Sequence, residues 1–198
     1  MTYNTITPPI FTLNTIQESL QFLELNGYVV LSNILDSSQT TEFIDYFKQD
    51  IKTISPNFDM NDSSTWNIAN FPGMFGKGMC VFNGIGQSNF MWSLRTNPHI
   101  YKIFQEVHQT EDLVVSMDGF SVYLSDKQKS KSWLHIDQNP TNELFSIQGA
   151  YNFMPVGEKD AGFVVVPKSH KIFKPKVNHK KDWIQVDQYE FSSQAIKL

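Results

Sequence analysis

Apolar positions along the chain change rhythm near residue 110. Before it they recur three and four residues apart; after it they gather in short clusters between turn residues. Residues 1–14, with Pro8-Pro9, have the composition of an extended arm. Thr15-Ile16-Gln17-Glu18 has the form of a capping box, and Ile16, Leu20 and Leu23 follow at helical spacing until Gly27 offers a stop. Residues 28–31 (Tyr-Val-Val-Leu) predict a short buried strand. A second helix is predicted after a cap at Asp36 or Ser38, with Phe43, Ile44, Phe47 and Ile51 as its apolar stripe. Pro56, Pro72, Gly73 and Gly76, set among Asn, Asp and Ser, predict a long loop over 53–77. A strand at 79–82 comes next, then helical spacing at about 88–95 and 98–108.

Beyond Leu113 the clusters predict strands at 113–117, 120–124, 134–137, 145–154 and 162–166. Helices first and closely set strands second predict a single α+β domain over residues 1–198, its second half a sandwich or barrel.

Composition narrows the class. With 198 residues, 40% hydrophobic and only 18% charged, the chain can bury a sizeable core and is not of disordered type. No apolar run approaches the roughly 20 residues that span a bilayer, and the polar start Met1-Thr2-Tyr3-Asn4 does not resemble a signal peptide. The net charge of −4 argues against nucleic acid as the main partner. Cys80 is the sole cysteine, so neither a disulfide framework nor a cysteine-built zinc site is available. The expectation is a soluble cytoplasmic protein with no membrane partner. Arg95 is the only arginine, so bidentate guanidinium recognition has one possible location.

The sharpest chemical feature is Trp133-Leu134-His135-Ile136-Asp137. In a strand, residues i and i+2 share a face, so His135 and Asp137 project together while Ile136 packs behind. An imidazole beside a carboxylate is two thirds of the 2-His-1-carboxylate set that holds non-haem Fe(II) with open coordination positions. In the stretch 145–154, Ser146, Gln148 and Asn152 make a polar face opposite Ile147, Tyr151 and Phe153. Such a face either meets solvent or lines a cavity.

Several segments, in order, resemble the phytanoyl-CoA dioxygenase family of Fe(II)- and 2-oxoglutarate-dependent oxygenases. They are Gly27-Tyr28-Val29-Val30-Leu31 before the second helix, then 86–95 followed by Asp112-Leu113-Val114-Val115-Ser116-Met117-Asp118-Gly119. Trp133 to Gln138 comes next, then Ile147-Gln148-Gly149, and finally Asp160-Ala161-Gly162 leading into Pro167-Lys168-Ser169-His170. Asp182-Trp183 also fits. The resemblance implies a double-stranded β-helix (jelly-roll, cupin-like) core with N-terminal helices flanking it. It implies Fe(II), 2-oxoglutarate and O2 as cofactors, ascorbate as reductant, and hydroxylation of a small-molecule substrate. His135 and Asp137 would be metal ligands; Gln148 and Tyr123 are candidates to hydrogen-bond the co-substrate.

One part of the family's pattern has no counterpart. The third ligand, a histidine on a late strand, and the basic residue after it find no matching position before Leu198. His170 lies in a turn the family uses structurally, and His179 sits among lysines that would repel a dication. His99 and His108 read as surface residues, Trp133 as packing, and Arg95 as a structural salt-bridge former. The expectations are therefore a barrel incomplete at its C-terminal end, with 191–198 an unpartnered or poorly packed strand. An inactive family member or fragment, at most a binding module, stands as the alternative to an oxygenase.

Overall fold

The computed structural model describes residues 3–71, 74–75, 78–123, 134–139, 141, 145–176, 181–187 and 189–198. In chain order its first elements are β1 (Asn4–Thr5), β2 (Ile10–Phe11), α1 (Ile16–Asn26), β3 (Val30–Leu31) and α2 (Ser37–Ile54). Then follow β4 (Met74–Phe75), β5 (Met79–Cys80), α3 (Asn89–Arg95), α4 (Pro98–His108) and β6 (Phe120–Ser121). The last are β7 (His135–Ile136), β8 (Val164–Val165), α5 (Ser169–Lys176), β9 (Ile184–Gln185) and β10 (Ile196–Lys197). Contacts group the chain into two units, one of Met1–Ser32 with Lys131–Leu198, the other of Asn33–Ser130.

The first unit is built from small ladders. β10 is the middle strand of a three-stranded sheet, parallel to β1 and antiparallel to β8. β2 pairs with β3 in parallel, and β7 with β9 antiparallel. Val166, Ile184, Val186, Phe191 and Ala195 form a buried cluster, with Leu134, Ile136, Val164, Ile172 and Phe173 packed against it. α1 ends as its sequence predicts: Gly27 takes φ 78°, and its N–H donates to the Leu23 carbonyl at 2.7 Å.

Two expectations fail here. Residues 191–198 do not form an unpartnered edge. Phe191, Ser192 and Ala195 are buried, and β10 is hydrogen-bonded on both sides. The reason is the N-terminal arm: β1 and β2 enter ladders, and β1 covers the edge of β10 that local reading leaves bare. The capping box at Thr15 is also absent. The Thr15 hydroxyl accepts from the Thr12 N–H at 2.9 Å, closing the preceding 3-10 turn instead of the helix start.

The second unit is helical and aromatic. Asp36 caps α2, its carboxylate accepting from the Gln39 N–H at 2.8 Å while the Gln39 side chain returns a bond to the Asp36 N–H. Phe43 and Ile51 on α2 are buried, and so are Phe90 and Met91 on α3. Phe47, Phe90 and Phe120 meet pairwise edge to face at 5.2–5.5 Å. α2 also positions α3: Asp50 accepts from the Phe90 N–H at 2.8 Å and from the Asn89 amide at 3.2 Å. β4, β5 and β6 form an antiparallel sheet. Gly119 is required there, because a Cβ would collide with the Cys80 carbonyl oxygen.

Two predicted strands do not form. Residues 113–117 are irregular, with Val114, Val115 and Met117 exposed. Residues 145–154 are likewise irregular. β-branched and aromatic content suits a strand only where a partner supplies the ladder, and neither stretch is paired among the described residues.

Candidate functional site

β7 carries the His-x-Asp motif, and its register explains how the motif is displayed. His135 lies opposite Gln185 and Ile136 opposite Ile184, and the Val186 N–H extends the ladder to the Leu134 carbonyl at 2.8 Å. Leu134, Ile136, Ile184 and Val186 all pack in the apolar core. By the two-residue period of a strand, His135, Trp183, Gln185 and the following Asp137 and Asp187 belong to the other face. The apolar residues thereby fix which way the polar ones point.

On that face the His135 Nε2 and Asp137 Oδ2 are 3.4 Å apart, their side chains 26% and 37% exposed. The Gln148 amide donates to the same Asp137 oxygen at 3.0 Å. The Trp183 indole stacks on the His135 ring, centroids 5.8 Å apart and planes 29° from parallel. Gln185 donates to Asp187 at 2.6 Å.

The pair fits a metal by chemistry and by spacing. Two donors each about 2.1 Å from one ion, at right angles, stand about 3.0 Å apart. A small side-chain adjustment brings 3.4 Å to that value. Among the described residues no third His, Cys, Asp or Glu completes a metal-binding group.

The other sequence candidates go elsewhere. Gln148 comes to Asp137, eleven residues away in sequence. Tyr123 belongs to the second unit, its ring against Gly78, with burial holding its hydroxyl above the usual tyrosine pKa. His170 donates from Nε2 to the Glu24 carbonyl at 2.9 Å, and the Lys168 N–H donates to the Asn26 carbonyl at 2.8 Å. The Pro-Lys-Ser-His turn thus satisfies carbonyls at the end of α1. His99 contacts the Ile34 carbonyl from Nδ1 at 2.7 Å. Arg95 donates to the Gly86 and Asp118 carbonyls and lies over the Trp92 ring at 5.5 Å, so it staples backbone; among the described residues it forms no side-chain ion pair within 4 Å. Trp133 and His179 lie outside the described residues.

The residue that sequence reading left without a role is Trp183. It was visible only as part of a resemblance, and its place beside His135 depends on the β7–β9 register.

The chain is similar to a "Putative phytanoyl-CoA dioxygenase" of Dictyostelium discoideum. Identity is 24% over 222 aligned residues, covering 89% of this chain and 62% of that protein. It is also similar to "Ava biosynthesis cluster protein O" of Aspergillus versicolor, 29% identical over 150 residues, 74% of this chain and 48% of the relative. The chain therefore spans about half to three-fifths of the length of these curated relatives. No family model matches it, and no solved structure does.

Proposed function

We propose that this chain belongs to an Fe(II)- and 2-oxoglutarate-dependent oxygenase of the phytanoyl-CoA dioxygenase type, acting on a small molecule. The observation that carries the reading is the His135–Asp137 pair, 3.4 Å apart on the face of the ladder that turns away from the core. When bound, the iron with 2-oxoglutarate and O2 supplies oxidative decarboxylation to succinate and CO2, coupled to hydroxylation of a C–H bond. His135 would offer a ring nitrogen and Asp137 a side-chain oxygen. Gln148 holds that carboxylate in one orientation by donating to it, as outer partners of ligating carboxylates do. Ile136 and Ile184 anchor the ladder from behind, so the donors move with the core. The jelly-roll arrangement is part of the same proposal, as is a reducing, cytoplasmic setting. The Aspergillus relative's place in a biosynthesis cluster is in keeping with a small-molecule substrate. No helix among the described residues is long and apolar enough to cross a membrane.

A second reading rests on one observation. The described residues bring two metal-binding side chains together and not three. On that reading the chain is a non-catalytic binding module. One pair of measurements separates the two: anaerobic Fe(II) uptake by equilibrium dialysis, and succinate release with Fe(II), 2-oxoglutarate and ascorbate. The oxygenase reading expects stoichiometric uptake, lost in both His135→Ala and Asp137→Ala, with circular dichroism unchanged, and succinate formed by the wild type. Uptake by the wild type no greater than by either variant would sink it. Uptake without succinate release would leave the binding module.

A further inference from the structure

We propose that Trp183 is a positioning residue of the candidate metal site, holding the His135 imidazole in its ligating orientation; this rests on the metal reading above. The placement is dictated by the ladder. Ile184 and Val186 are buried, so their alternation partners Trp183 and Gln185 project from the opposite face, where they are exposed. With His135 opposite Gln185, the antiparallel register sets Trp183 diagonally across from His135 and level with Asp137. The indole then covers one face of the imidazole, centroids 5.8 Å apart and 29° from parallel.

Burial does not explain this contact. Trp183 is 47% exposed, a large ring kept at the surface when the neighbouring positions of the same strand feed the core. What the stack does accomplish is to limit rotation of the His135 ring about its terminal torsion, which is broad for histidine. Held in that plane, the ring directs Nε2 toward Asp137 Oδ2. Gln148 restrains the carboxylate from its own side. Each of the two ligands thus has a dedicated neighbour, one aromatic and one amide. Contacts that orient ligands typically govern about tenfold or more in metal affinity.

The test uses the full chain and Co(II) as the probe, with affinity from equilibrium dialysis, ligand geometry from the visible Co(II) absorption, and fold from thermal unfolding. Trp183→Ala is expected to weaken Co(II) binding about tenfold and to shift the absorption band, with the unfolding midpoint unchanged. Trp183→Phe keeps a stacking ring and is expected to restore most of the affinity. Trp183→Leu keeps bulk without a π face and is expected to behave as the alanine variant; it serves in its place if that variant fails to fold. Wild-type affinity and spectrum in both the alanine and leucine variants would overturn the proposal. Equal weakening in the phenylalanine variant would also overturn it. If wild type binds no more Co(II) than His135→Ala, the metal reading falls and this inference falls with it.

Discussion

In the second unit Phe47, Phe90 and Phe120 interlock edge to face, and α3 is capped from α2 by Asp50. The first unit instead rests on a mixed cluster of Val166, Ile184, Val186, Phe191 and Ala195 beside ladders of two residue pairs each, with the polar face of β7 and β9 holding the candidate chemistry. The difference is one of redundancy. Removing one ring from the aromatic cluster leaves a void between partners that cannot close, because each ring is held by two others. Removing His135 or Asp137 takes away partly exposed side chains on the polar face of the ladder, outside the apolar cluster. The site is thereby free to carry groups selected for chemistry, while stability is concentrated in residues that take no part in it.

The contrast can be broken or sharpened by measurement. Phe90→Ala, at a fully buried position, is expected to cost about 3–5 kcal/mol in urea unfolding, whereas His135→Ala should change stability by less than about 0.5 kcal/mol. Comparable losses from the two would erase the distinction. Next in size, Asp50→Ala leaves the Phe90 N–H without its carboxylate and is expected to cost about 1 kcal/mol by the same assay.

A smaller effect of opposite sign is expected in the first unit. Lys168 occupies the left-handed region at φ 64° in the turn that closes α1. Lys168→Gly relieves the crowding of its Cβ, and a gain of about 0.5 kcal/mol is expected, small because glycine loses more backbone entropy on folding. A loss of stability would show that the lysine side chain contributes there.

The subtlest test is chemical. Burial pushes the Cys80 thiol up from 9.0 to about 11, so the folded state favours the protonated form. Stability from this group is fully present below pH 9 and is lost as pH rises toward 11, because only the unfolded chain releases the proton across that window. Alkylation by iodoacetamide at pH 8 should be slow in the native protein and fast in urea. Fast native alkylation would mean that the second unit opens more readily than its packing implies.

Local sequence determined α2, the end of α1 and the facing of the candidate pair; α5 (Ser169–Lys176) carried no such local signal. The stripe Phe43, Ile44, Phe47 and Ile51, the cap at Asp36 and the stop at Gly27 all act within a few residues, and α2 and the end of α1 follow from them. His135 and Asp137 share a face because a strand repeats every two residues. Tertiary structure decided whatever depends on a partner far along the chain. Residues 113–117 and 145–154 have strand composition but no ladder among the described residues, and the 196–197 strand gains a second neighbour only because 4–5 reaches it. Trp183 meets His135, and Gln148 meets Asp137, through register and loop path. His170 reads from sequence as part of a structural turn, and what it holds, the Glu24 carbonyl bonded by its Nε2, is 146 residues away. Helix signals are short-range because their hydrogen bonds span four residues. A ladder or a site joins segments whose separation the local pattern does not encode.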